Sequence, residues 1–364
     1  MNRLISILLT FILLTSVTVS AQSFDSQSYK DVKKPKNIIL MIGDGMGVSH
    51  VYSAYTVLNK NMNITSMPIT GFSVTHSADK YITDSGAGGT AIATGKKTNN
   101  GRIAVDPEGK PLKTILEYAS DKGLATGLIS TSSITHATPA SFIAHNANRN
   151  DYEAIAADFL KTDIDLFIGG GYLNFAVRED GRNLIDELKQ KKYSVYRNLN
   201  DINTKKDNKL AVFLADKHLP SIINGRGDML PDATEIALEV LQRNKKGFFI
   251  MIEGSQIDWG GHANNSDFVV SETVDFDKAV GKALEFAKQN NETLILITAD
   301  HETGGYAIND GSFKDATVKG AFTTNEHSAV MVPVFAFGPG SELFSGVQDN
   351  TELFEKCMFL LNLK

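Results

Sequence analysis

The chain has 364 residues, of which 42% are hydrophobic, and this is ample material for a packed core. Its formal net charge of −6 argues against nucleic acid or an anionic membrane surface as a partner. Its single cysteine, Cys357, excludes an intrachain disulfide, so stability outside a cell would have to come from the core and from bound metal.

Residues 1–21 have the layout of a secretory signal peptide. Met1-Asn2-Arg3 is a short positive start, an apolar stretch follows, and Val19-Ser20-Ala21 supplies small residues for cleavage before Gln22. A membrane anchor is the alternative, but the apolar stretch is short for a full span. We therefore predict a secreted or periplasmic protein that leaves the membrane after cleavage, with a flexible lead-in over residues 22–35 and a single domain over residues 36–364.

Beyond the lead-in, short apolar runs recur, each followed by a polar, glycine-bearing turn and then by a helical pattern. Runs that are apolar throughout are typical of strands buried on both faces of a parallel sheet. The alternation predicts an α/β fold with a central, mostly parallel sheet between helices. The predicted strands are Asn37–Ile42, Ala125–Ser130, Asp165–Ile168, Gly247–Ile252, Thr293–Thr298 and Val332–Phe337, and the predicted helices include Leu112–Lys122, Asp151–Leu160, Ala233–Asn244 and Asp267–Gln289.

Polar clusters come directly after four of these predicted strands. They are Gly43-Asp44-Gly45, the segment Ser132–His136, the segment Glu253–His262, and Asp300-His301-Glu302. Open α/β sheets bind their ligands in the crevice at the carboxyl ends of the strands. We therefore expect these four clusters, which are far apart in the chain, to converge on one site.

Six residues in or near these clusters are candidate metal ligands. Three aspartates and three histidines are enough for two zinc sites of three protein ligands each, with room for a water or a substrate oxygen. Any one of the histidines alone would more often be an ordinary surface or core residue, so the prediction depends on their joint placement. The six residues are Asp44, Asp258, His262, Asp300, His301 and His327.

The segment Thr83–Ala91 places Ser85 before a run of small residues. A helix that starts here would point its positive end at an anion, and small residues would let a substrate approach the backbone. The alternative is an ordinary capped helix start, in which Ser or Asp satisfies the first amides. A serine hydroxyl becomes a good nucleophile only when a base or a metal ion promotes loss of its proton.

A third segment places Thr138 before Pro139, which fits the first turn of a helix with Thr138 as its cap. On that helix Arg149 would lie three turns further on, within reach of an anion. A guanidinium group binds two phosphate oxygens at once, which suits a terminal phosphate. By itself, however, Arg149 would more often be a solvated surface charge.

Six segments of the chain together resemble the alkaline phosphatase family, in the family's order and over nearly the whole mature chain. The match is nearest to the compact, cold-active bacterial members. The segments are Gly43-Asp44-Gly45, Thr83-Asp84-Ser85, His136–Ala140, Glu253–Asp258, Asp300–Gly305 and Glu326-His327-Ser328.

The resemblance implies a hydrolase of small phosphate monoesters with a phosphoserine intermediate. Ser85 would be the nucleophile and Arg149 the phosphate clamp. The resemblance further implies two Zn²⁺ and one Mg²⁺ per chain. One zinc would be bound by Asp258, His262 and His327, the other by Asp44, Asp300 and His301, and the magnesium by Asp44, Thr138 and Glu253.

Two positions near the implied site depart from the better-known members, which carry Asp and Lys where this chain has His136 and Trp259. Loss of the lysine removes a positive charge near phosphate, so we expect looser binding of the product. Imidazole suits Zn²⁺ or Co²⁺ better than Mg²⁺, so His136 would draw the third site towards those ions. The alternative is that both side chains only pack.

The segment between Gly305 and Glu326 is short where larger relatives carry an insertion over the dimer, so both a homodimer and a compact monomer stay open. Two other functions also stay open. One is a phosphodiesterase of the same superfamily, although such enzymes usually present Thr as nucleophile and lack the arginine clamp and the third metal. The other is a non-catalytic secreted protein that binds metal or phosphate.

Overall fold

The computed structural model describes residue 24 and residues 26–363, and its centre is one large sheet. The predicted signal peptide lies outside the described residues. The strands are β1 (Asn37–Gly43), β2 (Ile69–Val74), β3 (Ala125–Ser133), β4 (Leu166–Gly170), β5 (Ser194–Tyr196), β6 (Leu210–Phe213), β7 (Phe248–Gly254), β8 (Thr293–Thr298), β9 (Glu302–Thr303), β10 (Ala307–Ser312), β11 (Thr317–Ala321), β12 (His327–Ser328), β13 (Val332–Phe337) and β14 (Gly346–Asp349).

Helices cover the two faces of this sheet. They are α1 (Val48–Val57), α2 (Ser85–Thr94), α3 (Ile115–Asp121), α4 (Ala137–Ala140), α5 (Tyr152–Asp158), α6 (Tyr172–Ala176), α7 (Leu184–Gln190), α8 (Met229–Leu241), α9 (Gln256–His262), α10 (Ser266–Asn290) and α11 (Asn350–Leu360). Short 3₁₀ turns lie at Ser26–Tyr29, Ile64–Ser66, Leu199–Asp201, Ile222–Asn224 and Ser341–Phe344.

The large sheet has ten strands among the described residues, in the order β14-β2-β13-β8-β1-β7-β3-β4-β6-β5. All pairs are parallel except those of β13, which runs antiparallel to both β2 and β8. The sheet is therefore mostly parallel, as predicted. The antiparallel direction of β13 is not visible in its apolar run, because burial on both faces produces the same pattern in either direction.

Alternate residues of the central strands build two separate cores. In β1, Ile38, Leu40 and Ile42 pack on one face, while Ile39 and Met41 pack on the other, and all five are buried. Each face is then covered by helices, for example by α10 on the side of Ile39. This two-sided burial explains why the strands read as continuous apolar runs.

All six predicted strands form, and the four predicted helices form with shifted ends. The helix predicted over Asp151–Leu160 spans α5, and Asp151 is its cap, accepting a hydrogen bond from the Ala154 amide at 3.3 Å. The helix predicted from Ala233 begins one turn earlier, at Met229, because Pro231 is compatible with a first turn.

A small hairpin, β10–β11, occupies the segment between Gly305 and Glu326, where the sequence predicts only a short insertion. Phe313 at its turn packs edge-on against Tyr52 and Tyr55 of α1, with ring centroids 6.4 and 6.1 Å apart. The hairpin is thus fixed to the body of the protein.

The described part of the segment 22–35 contacts the end of the chain. The Phe24 ring packs edge-on against Phe359 of α11, and the Lys34 ammonium donates to the Phe359 carbonyl at 2.9 Å. Whether this segment is flexible, as the sequence predicts, stays a prediction.

None of the helices formed by residues 26–363 is both long enough and apolar enough to span a membrane.

Candidate active site

The carboxyl ends of the central strands deliver the polar clusters to one edge of the sheet. Asp44 follows β1, Glu253 lies at the end of β7, and Asp300 follows β8 after one residue. These strands are neighbours in the order β8-β1-β7, so the three carboxyl groups come together. All three are fully buried. The convergence expected from the sequence is therefore present.

A first group of ligand atoms comes from Asp258, His262 and His327, which lie within 4.8 Å of one another. The Nε2 atoms of His262 and His327 are 3.3 and 3.5 Å from Asp258 Oδ1. Their Nδ1 atoms face backbone carbonyls instead, of Asn325 at 2.7 Å and of Thr83 at 2.9 Å. Such carbonyl partners keep the proton on Nδ1 and leave the Nε2 lone pair for a metal ion.

A second group surrounds His301 Nε2. Asp44 Oδ1 lies 3.5 Å from this nitrogen, Asp300 Oδ2 lies 3.2 Å away, and the hydroxyl of Ser85 lies 3.1 Å away. Thr303 Oγ1 is 3.2 Å from the other ring nitrogen of His301 and donates to Asp258 Oδ1 at 2.5 Å, so it links the two groups. The hydroxyl of Ser85, the candidate nucleophile, thus lies beside side chains that can bind a metal ion.

Helix α2 begins at Ser85, and the cap is Asp84 rather than the serine. Asp84 accepts from the Ala87 amide at 2.9 Å, which leaves the Ser85 side chain free to face His301. The small residues of α2 permit close packing: a Cβ on Gly88 would lie 2.9 Å from the Asp300 carbonyl oxygen. A phosphate on Ser85 would therefore lie at the positive end of a helix.

Arg149 reaches the site by a route that differs from the prediction. Helix α4 is four residues long with His136 in the cap position, so Thr138 lies inside it and Arg149 is not on it. Beyond this helix the chain pairs with another segment, where Ile103 and Asn146 exchange backbone hydrogen bonds of 2.8 and 2.9 Å. Arg149 lies in the loop beyond, and its Nη1 donates to Asp84 Oδ2 at 2.8 Å.

Asp84 therefore holds helix α2 and Arg149 together. Besides Ala87 and Arg149, it accepts from the Gly101 amide at 2.9 Å, and Gly101 in turn accepts from the Arg149 amide at 2.8 Å. The sequence suggested an Asp or Ser cap for this helix, and Asp84 is that cap; its contact with Arg149 was not expected.

A third group comes from Asp44, His136 and Glu253. Thr138, which the resemblance places here, donates to Asp44 Oδ2 at 3.3 Å. A ring nitrogen of His136 is thus one of the candidate ligand atoms of this group, whereas the sequence placed His136 only near the site. Around His136, Trp259 and His218 pack edge-on, with centroids 6.2 and 5.7 Å from its ring.

The electrostatics of these groups fit bound cations. Burial and then the neighbouring carboxyls of Asp300 and Asp258 raise the pKa of Asp44 well above its ordinary value. Burial raises the pKa of Glu253 to about 7 and lowers that of His301 well below its usual range. Crowded, buried carboxylates are costly without a compensating charge.

Unpaired atoms point to the same conclusion. Among the described residues, four buried atoms of these groups have no hydrogen-bond partner in the protein: Asp44 Oδ1, His136 Nδ1, Glu253 Oε1 and Asp300 Oδ2. Buried polar atoms are rarely left unpaired, and these four are carboxylate oxygens and an imidazole nitrogen. The donor set therefore fits divalent metal ions, with nitrogen-bearing groups that suit zinc and an oxygen-rich group that suits a harder ion.

Comparisons with known proteins agree with this geometry. The sequence profile of the family described as "Alkaline phosphatase" matches residues 35–320. The chain is 36% identical to Alkaline phosphatase 3 of Bacillus subtilis (strain 168), over 95% of this chain and 93% of that relative. The chain belongs to the alkaline phosphatase family. As an alkaline phosphatase, it is a metal-dependent hydrolase of phosphate monoesters.

Solved alkaline phosphatases also share the fold. The enzyme from the Antarctic bacterium TAB5 is 41% identical, with a TM-score of 0.86 over 91% of this chain and 99% of that one. A histidine-to-aspartate variant of the TAB5 enzyme, solved with Mg bound in its M3 site, is 40% identical, with the same TM-score and coverage. These likenesses confirm the predicted family and the predicted α/β architecture.

Proposed function

We propose that this alkaline phosphatase works through a phosphoserine at Ser85, in a site that holds two Zn²⁺ and one Mg²⁺. Zinc would be bound by Asp258, His262 and His327 and, next to it, by Asp44, Asp300 and His301. The third ion would be bound by Asp44, Thr138 and Glu253. The observation that supports this best is the position of the Ser85 hydroxyl, 3.1 Å from His301 Nε2 and beside the carboxylates of Asp44 and Asp300.

Bound zinc ions would act as Lewis acids, stabilising the Ser85 alkoxide and the oxygen of the leaving alcohol. Ser85 Oγ attacks phosphorus, a bond from Oγ to phosphorus forms, and the ester bond to the alcohol breaks. Arg149 binds two non-bridging oxygens of the phosphate, while its contact with Asp84 keeps the guanidinium in place. Water then attacks the phosphoserine, which releases inorganic phosphate and restores the serine.

Arg149 also supports the preference for monoesters. A monoester presents a phosphoryl group with charge on three oxygens, of which a guanidinium can take two. A diester has one charged oxygen fewer, so it gains less from the same arginine.

His136 belongs to the third group and Trp259 packs against it, so both would modify the bound ion. Since the Nδ1 atom of His136 has no hydrogen-bond partner and can serve as a metal ligand, we infer that the third site accepts Zn²⁺ or Co²⁺ as well as Mg²⁺. Trp259 stands where a cation would strengthen phosphate binding, and we infer easier release of product.

We further propose that residues 36–364 act as one catalytic domain, that residues 1–21 direct export to the periplasm or the medium, and that small phosphomonoesters are the substrates. N-terminal sequencing of the exported protein tests the second point, since cleavage after Ala21 leaves Gln22 first. Sedimentation would decide between a homodimer and a monomer.

Three measurements test the catalytic proposal. Acid-quenched wild-type enzyme should carry phosphate on Ser85, and Ser85→Ala should abolish both the phosphoenzyme and turnover. Chelation should remove activity, and zinc plus magnesium should restore it, with two zinc ions and one lighter ion per chain by elemental analysis. Higher kcat/KM on an aryl methyl diester than on the aryl monoester would instead identify a diesterase, and absence of turnover on both would identify a binding protein.

A further inference from the structure

Two serines fix the orientation of Glu253 at the bottom of the third group. The hydroxyls of Ser130 in β3 and Ser255, just after β7, both donate to the same oxygen, Glu253 Oε2, each at 2.6 Å. The other oxygen, Oε1, has no hydrogen-bond partner in the protein. All three side chains are fully buried.

The number of available hydroxyl protons restricts how Glu253 can be oriented. Each serine has one hydroxyl proton, and an ionised carboxylate only accepts, so both protons are used on Oε2. The neighbouring strand β3 holds both serines: the Ser132 amide donates to the Ser130 side chain at 3.0 Å, and the backbone amide of Ser255 donates to the Thr131 side chain at 2.9 Å. Turning Glu253 would break two charge-assisted hydrogen bonds and leave the buried hydroxyls to neutral partners, since Ser130 Oγ lies 2.9 Å from Ser255 Oγ and 2.8 Å from Ser132 Oγ.

We propose that Ser130 and Ser255 are positioning residues that make Glu253 a one-oxygen ligand, and that they thereby set the preference of the third site for Mg²⁺ over Ca²⁺. Mg²⁺ needs a near-octahedral shell of single oxygen contacts, whereas Ca²⁺ accepts more ligands and often binds both oxygens of a carboxylate. With Oε2 held by two donors, Glu253 offers only Oε1 to the ion. The inference rests on the proposed three-metal site.

The single tryptophan of the chain supplies the measurement, because Trp259 lies 6.2 Å from His136 in the third group. Mg²⁺ and Ca²⁺ are titrated separately into zinc-loaded enzyme, with Trp259 fluorescence and equilibrium dialysis with metal analysis as parallel readouts. The variants are Ser130→Ala and Ser255→Ala, each made alone. The matched control is Ser132→Ala, a buried serine on the same strand that touches Ser130 at 2.8 Å but makes no hydrogen bond to Glu253.

Removing a hydrogen-bond partner of a metal ligand typically weakens metal binding about 10–100-fold. We expect Mg²⁺ affinity to fall about tenfold in Ser130→Ala and in Ser255→Ala. Ca²⁺ affinity should fall less, so the ratio of Ca²⁺ to Mg²⁺ affinity rises. Ser132→Ala should keep the wild-type ratio.

Other results would distinguish failure of the positioning role from failure of the third metal site. If both serine variants keep the wild-type ratio, whether affinity is unchanged or falls equally for both ions, the positioning role is wrong while the metal site stands. If wild-type enzyme binds neither ion by either readout, the proposed third metal fails and the inference fails with it. Because each variant is read alone, loss of folding in one still leaves the other to decide.

Discussion

Replacement of Arg149 by alanine should separate monoester from diester chemistry. One Nη1 donor of Arg149 is engaged by Asp84 at 2.8 Å, which leaves other donors of the guanidinium free for phosphate. A hydrogen bond to a charged group contributes about 1.5–3 kcal/mol, so loss of two in the transition state costs about 3–6 kcal/mol. We therefore expect kcat/KM for an aryl monoester to fall about 10²–10⁴-fold.

The site around the lost arginine should survive, because Asp84 keeps its bonds from the Ala87 and Gly101 amides. The methyl diester of the same aryl phosphate has one charged oxygen fewer, so it loses less when the arginine is removed. The fall in kcat/KM for the diester should therefore be smaller than the fall for the monoester by a factor of at least about ten. Arg102→Ala is a matched control from the adjoining loop, where the Arg102 side chain donates to the Asp106 carbonyl, and it should leave both efficiencies unchanged. An equal loss for monoester and diester in Arg149→Ala would refute the clamp.

Three further predictions concern the metal groups and their surroundings. Burial raises the pKa of Glu253 to about 7 from an ordinary value of 4.5. The protonated carboxyl therefore stabilises the chelated protein, and this contribution is fully present below about pH 4.5. It amounts to at most about 3 kcal/mol and is lost as the pH rises through about 7. In calorimetry, the Tm in chelator should fall between about pH 4.5 and about pH 7, and saturating zinc plus magnesium should remove the trend, since cations replace the proton. A Tm that rises with pH in chelator contradicts this. Trp259→Lys should place a cation near phosphate and tighten inhibition by inorganic phosphate about fivefold, and an unchanged inhibition constant would show that Trp259 only packs. Gly88→Ala puts a Cβ 2.9 Å from the Asp300 carbonyl oxygen, so we expect about 1–3 kcal/mol lower stability in denaturant unfolding together with reduced kcat, and a fully active, equally stable variant would contradict the close packing.

Local patterns in the sequence were sufficient for the frame of this protein. The central strands are buried on both faces, since Ile38 packs in one core and Ile39 in the other. Burial on both faces requires apolar residues at successive positions, and these are visible in the sequence as continuous apolar runs. Since parallel strands end at one edge, the polar residues after the strands could be expected to meet there, and Asp44, Glu253 and Asp300 do. The division of ligands into particular triads came from the family resemblance and not from spacing.

Contacts between distant segments were decided only in the folded chain. The direction of β13, the short α4 and the loop that carries Arg149 depend on which segments pair, and no local pattern contains that information. The same holds for the partners that prepare the site: Asp84 on Arg149, backbone carbonyls on the histidine Nδ1 atoms, and Ser130 and Ser255 on Glu253. Hydrophobic periodicity is set by neighbours along the chain, whereas a hydrogen bond between Ser130 and Glu253 requires two strands to lie side by side in one register. The sequence alone thus identified the candidate residues of the site, and the tertiary structure determined how each of them is held.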